Sequence, residues 1–114
     1  MKKRLISSYD EVNDTFVGKV DGGHGFCADY GISDGVFLAI DENNFPTSVY
    51  VNNASEVLNI PKQILENSNV RISIICDAIF LNFNMCIEGL KICSIRCKNH
   101  YGIPSLNFEI DSNH

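Results

Sequence analysis

Two thiols and an imidazole stand close together in Cys93-x-x-x-Cys97-x-x-His100, with Cys86 or His114 as a fourth candidate ligand. Zinc takes a tetrahedron of thiolate and imidazole donors, so these are the residues to consider for a metal site. The tight Cys-x-x-Cys turns of a zinc knuckle do not occur here. Residues 90–96 read as a strand, and alternation then puts Cys93, Ile95 and Cys97 on one face. Packing of small side chains accounts for that face more simply. Cys93, Cys97 and His100 therefore stand only as weak metal candidates, and no cofactor is expected.

A second pairing is His24 with Cys27, flanked by Asp21 and Asp29. A thiol nucleophile needs a base to take its proton and donors for the oxyanion. His24 lies in the glycine-rich loop Asp21-Gly22-Gly23-His24-Gly25, with nothing nearby to hold it. The same loop could be taken for a phosphate cradle. Such cradles lead into a helix N-terminus. Here a strand is expected to follow, and the bracketing aspartates repel phosphate. No enzymatic role is expected.

The acids form the most pronounced pattern. From Asp10 to Glu42 run eight of them (Asp10, Glu11, Asp14, Asp21, Asp29, Asp34, Asp41, Glu42) against one base, Lys19. The whole chain carries −5, so this stretch holds the imbalance. Acids at turns bond the backbone two residues on, and turn capping explains many of them. Calcium loops need oxygen ligands at alternating positions, which no stretch supplies. A continuous acidic face would repel nucleic acid and steer a basic protein partner inward. The candidate partner-binding residues are Asp10, Asp14, Asp21, Asp29, Tyr30, Asp34, Asp41 and Glu42. Tyr9, Tyr30 and Tyr101 lie near turns, where an exposed ring beside acids would suit a protein interface.

The elements that position these residues follow from composition and alternation. The 114 residues are 45% hydrophobic and 20% charged, as in a single globular domain spanning 1–114. The odd count of five cysteines argues against a closed disulfide framework and for reduced thiols. The opening residues lack an apolar core for a signal peptide, and no run is long enough to span a membrane. A cytoplasmic chain with no membrane partner is expected.

Strands are expected at 5–8, 15–20, 26–30, 36–40 and 47–51. Further strands are expected at 70–74, 78–83, 90–96 and 106–110. Between them, Ala54, Val57 and Leu58 recur at helical spacing, with Asn52 or Asn53 as N-cap, and Pro61 opens a second turn. The fold class is α+β: a mostly antiparallel sheet, meander or sandwich-like, with one or two short helices around residues 54–66. Four strands in the second half leave no room for crossover helices, so antiparallel pairs are expected there. The first strands and the last, 106–110, are candidate sheet edges, open to a homodimer or a partner strand. Residues 32–41 also align with 75–84, as a duplicated turn-strand unit would.

Three motifs resemble a small family of uncharacterised prokaryotic domains, the domain of unknown function numbered 2283. They are Tyr9-Asp10-x-x-x-Asp14, Asp34-Gly35-Val36-x-Leu38-x-Ile40-Asp41 and Val49-x-Val51-x-Asn53-Ala54-Ser55. The resemblance spans about residues 5–60 and leaves the β-rich segment 70–114 as additional hairpins. It implies a small, β-rich, non-enzymatic domain. Some members sit beside toxin-like genes and look like antitoxin components. The expected function is an antitoxin or immunity-type inhibitor that masks a basic toxin such as a nuclease, its acids mimicking phosphates. The alternative is a small-ligand or metal-binding β domain built around Cys86, Cys93, Cys97 and His100.

Overall fold

A computed structural model describes residues 2–22, 28–66, 69–105 and 107–112. Alternation of apolar and polar residues builds the strands β1 (Lys2–Asp10), β2 (Thr15–Val20), β3 (Ala28–Ser33), β4 (Val36–Ile40) and β5 (Pro46–Asn52). The helices α1 (Ala54–Val57) and α2 (Lys62–Glu66) follow, and then β6 (Val70–Cys76), β7 (Phe80–Ile87), β8 (Leu90–Lys98) and β9 (Asn107–Ser112). The period-2 pattern is clearest in β7, where Leu81, Phe83, Met85 and Ile87 point inward and are buried. This is the α+β class, with antiparallel sheet dominant and two short helices where apolar spacing changes from two to about four.

All nine strands join one sheet in the order β3-β4-β5-β2-β1-β9-β6-β7-β8. One expectation fails here, that the first strands and the last are sheet edges. The pairing of β1 with β9 is parallel, Lys2 opposite Glu109 through Leu5 opposite Ser112. The two termini thus meet in the middle of the sheet, and β1 and β9 are not edges. A parallel pair needs a long crossover. Here most of the chain serves as that crossover, which short-range reading of single strands does not anticipate.

The true edges are β3 and β8, and the sheet curls until they face each other. The seam is held by side chains, not by a backbone ladder. The Tyr30 hydroxyl donates to the Lys98 carbonyl and lies 3.8 Å from Cys97 Sγ. His100 N–H points back to the same hydroxyl at 3.4 Å. Tyr101 meets the Tyr30 ring edge-on at a centroid distance of 4.7 Å. Along β8 the outward Lys91, Arg96 and Lys98 are charges of the kind that discourage edge-to-edge pairing. Arg96 also lies over the Phe80 ring at 4.1 Å.

One hydrophobic cluster fills the curl. Leu5, Phe16, Leu38, Val49, Ile72 and Phe83 are among its fully buried members, so both halves of the chain contribute to it. Gly18 faces this interior, where a Cβ would approach Leu5 Cδ1 to 2.9 Å. Glycine there lets β2 pass close to Leu5.

Residues 32–41 and 75–84 share their burial phase in one strand of each segment only. Leu38 and Ile40 of β4 match Leu81 and Phe83 of β7, all buried. The preceding strands are out of phase: Ile32 is buried, whereas its counterpart Ile75 is exposed. Their turns also differ, with two residues between β3 and β4 and three between β6 and β7.

Candidate functional site

Register places the acids. The β1–β2 turn, the β3–β4 turn and the end of β5 lie at one end of the sheet, beside both helices. Asp10, Glu11, Asp14 and Asp34 belong to this helical end. Asp21, Asp29, Asp41 and Glu42 lie toward the opposite end, about 17 Å away across one strand length. The acidic run therefore does not make one continuous face. Antiparallel strands carry successive turns to alternate ends, and the run divides with them.

At the opposite end two of the four acids, Asp41 and Asp21, have local partners. Asp41 Oδ1 accepts from Asn43 N–H at 2.8 Å and from Phe45 N–H at 3.0 Å, closing the β4–β5 turn. Asp21 stands 3.9 Å from Arg4, both half-exposed at the surface. Glu42 is exposed.

The helical end gains acids from outside the run. Glu56 of α1 and Glu66 of α2 join Asp10, Glu11 and Asp34, all exposed, with Lys62 between them. Lys62 Nζ donates to the Glu11 carbonyl at 3.2 Å, so its charge is held beside the backbone of the turn. The Glu66 carboxyl is pushed up from its ordinary pKa, first by sharing a hydrogen bond with the Glu11 carboxyl and then by that group's charge. Two like groups thus face each other at the surface. Asp10 is pulled the other way, by hydrogen bonds from Asn13 and Val12 within its turn.

Asp14 is engaged inside the fold. Its carboxylate accepts the Tyr9 hydroxyl at 2.6 Å, the Ser55 hydroxyl at 2.6 Å and the Ser55 N–H at 3.0 Å. Its carbonyl accepts Ala54 N–H at 2.8 Å. Asp14 therefore caps α1 from the β1–β2 turn. Asn53, the N-cap expected from the sequence, has left-handed backbone (φ 53°) and makes no side-chain cap. Sequence distance hides this cap, because it lies 41 residues from Ser55. By residue type Asn53 is a good N-cap, so the sequence held no sign that Asp14 takes this role.

Tyr30 is 5% exposed, not a surface ring, because it plugs the seam. Burial, as the leading cause, raises its phenol pKa. Tyr9 is half-buried over the Asp14 clamp, and burial followed by that hydrogen bond raises its phenol. Tyr101 is exposed on one side of the seam.

Alternation in β8 does place Cys93, Ile95 and Cys97 on the inward face, packed against the core. Cys86 points outward from β7, between the buried Met85 and Ile87, so it cannot join Cys93 and Cys97. Among the described residues no three His, Cys, Asp or Glu side chains stand together as metal ligands. Burial, then the nearby Cys97 and Asp77, pushes the Cys76 thiol up to about 11, which keeps it protonated at neutral pH. His24, Cys27 and His114 lie outside the described residues.

A groove lies on the outer face of β3, β4 and β5, and sequence reading missed it. Its volume is about 340 Å³, and Asp29, Phe37, Tyr50 and Asn52 line it. Phe37 and Tyr50 are directly opposite each other across β4 and β5. Gly31 is paired with Phe37 on the other side, and the Phe37 ring lies over its bare backbone. Aromatic rings on strands are ordinarily expected in the core. A clue was available in the odd spacing of these two against Val36, Leu38, Val49 and Val51, which sends them to the other face.

No protein-family model matches the chain, and no curated protein or solved structure matches it either. Among the described residues no helix is long and apolar enough to cross a membrane.

Proposed function

We propose that this chain is a non-enzymatic protein-binding module for a basic partner, of the antitoxin or immunity type. The observation that carries the reading is the helical end. Turns and helices distant in sequence bring Asp10, Glu11, Asp34, Glu56 and Glu66 to one surface, where Glu11 and Glu66 oppose like to like. A cationic partner relieves that repulsion and gains from long-range attraction. The resemblance of residues 5–60 to domains found beside toxin-like genes supports the same reading.

Co-expression with the product of the adjacent gene tests it. Growth rescue together with a co-purifying complex is the expected result. Within such a complex, the combined substitutions Glu11→Gln, Asp34→Asn, Glu56→Gln and Glu66→Gln should slow association roughly tenfold and flatten its salt dependence. An unchanged, salt-independent association rate would overturn electrostatic capture at this end.

A further inference from the structure

We infer that the groove over Gly31, Phe37 and Tyr50 is a socket for an arginine side chain of the protein partner. This inference rests on the binding-module reading and assigns it a specific anchor. Three features of the groove point to a planar cation. Phe37 and Tyr50 form a cross-strand aromatic pair whose side chains are only partly buried. Aromatic faces attract guanidinium groups through the negative potential of the ring. A carboxylate, Asp29, stands exposed on the groove wall, and an amide, Asn52, stands at its other end. Together they match a group that is flat, cationic and rich in N–H donors.

Backbone and register make the room. Asp29 is paired with Ala39 and Gly31 with Phe37, so Asp29 is a diagonal neighbour of the Phe37 ring. Gly31 has no side chain, so the Phe37 ring can lie over its backbone, where an added Cβ would touch that ring at 3.4 Å. The next pair along the same face is Ala39 with Ser48, both small and buried. The small Ala39 and Ser48 flank the two rings on the Asp29 side and leave room along the groove for a flat group and its methylene stem. The Asn52 end adjoins the β3–β4 turn, since Asn52 N–H donates to the Gly35 carbonyl at 2.8 Å. Asp34 of the acidic helical end is thus next to the mouth. Charge at that end draws in the basic partner, and the groove holds one of its arginines.

The test uses the full chain, labelled with 15N and 13C, and a short neutral-flanked peptide containing a single arginine. Its control is the same peptide with citrulline, which keeps the shape and lacks the charge. The expected result is saturable shifts of Gly31, Phe37, Tyr50 and Asn52 resonances with the arginine peptide. Citrulline should bind roughly tenfold more weakly or less. Asp29→Asn and Phe37→Leu, checked for unchanged dispersion elsewhere in the spectrum, should each weaken the arginine peptide by a similar factor. Equal binding of citrulline would overturn the cation assignment. Shifts confined to Glu11, Asp34 and Glu66 would overturn the socket while leaving the acidic-end reading standing. No shift anywhere with the peptide, in a chain that still captures its partner, would overturn the socket alone.

Discussion

Asp14 shows what one partly buried, triply hydrogen-bonded carboxylate does to acid stability. Burial pulls its carboxyl pKa upward, but hydrogen bonds from the Ser55 and Tyr9 hydroxyls and the Ser55 N–H outweigh that pull. The net folded value is lower than the unfolded one. A depressed carboxyl contributes stability that is present above the unfolded pKa and is lost as pH falls through the folded pKa. Asp14→Asn should therefore cost about 1–3 kcal/mol at neutral pH, the scale of hydrogen bonds to a charged group. The difference from the parent should shrink in acid, as pH falls through the folded value and both side chains become neutral. Urea unfolding at neutral and at acid pH checks this. A gap that persists in acid would mean that shape and not charge holds α1. The motif Tyr9-Asp10-x-x-x-Asp14 was legible as a turn, and Asp10 does close one. That Asp14 reaches α1 was not, because its partners are distant in sequence.

Among the elements, the β3–β4 hairpin is the clearest case of local chemistry deciding structure. Asp34-Gly35 between two apolar runs is a turn signal, and Gly35 has φ +79°. Its surroundings are also closed. A Cβ there would meet Val57 Cγ2 at 2.9 Å and the Asn52 carbonyl oxygen at 3.0 Å. Gly35→Ala should lower stability by more than the roughly 1–2 kcal/mol of the left-handed backbone alone, because α1 must also shift. Thermal unfolding measures this, and amide exchange at α1 locates it. A loss no larger than that backbone cost, with α1 unperturbed, would show that the neighbours yield freely. The helices themselves were legible from Ala54, Val57, Leu58 and Pro61, at nearly the observed bounds. The cap of α1 was not, since short helices depend on tertiary capping more than on propensity.

For the whole molecule, the seam between β3 and β8 decides how tightly the sheet closes. Tyr30 is its main polar tie, with Tyr101 packed edge-on. Tyr30→Phe keeps the ring and removes the hydroxyl, leaving the Lys98 carbonyl to water. The expected cost is about 1 kcal/mol, with faster amide exchange in β3 and β8 than in β5 and β6. Uniform change across all strands would mean that the seam has no separate opening motion. The sheet edge also bears on assembly. A partner strand cannot add at β1 or β9, because both are flanked on each side.

Strand positions, the turn at Asp34-Gly35, the helical interval and the α+β class were determined by the sequence itself. Each depends on alternation or backbone preference within a few residues, and those act locally. Only the tertiary structure decided which strands meet, which acids share a surface and which aromatics face outward as a groove. The parallel union of β1 with β9 joins residues about a hundred positions apart, and the end-to-end division of the acids follows from the antiparallel pairing of β1 to β5. Such choices are made by burying one common core, a property of the whole chain that no window of the sequence contains.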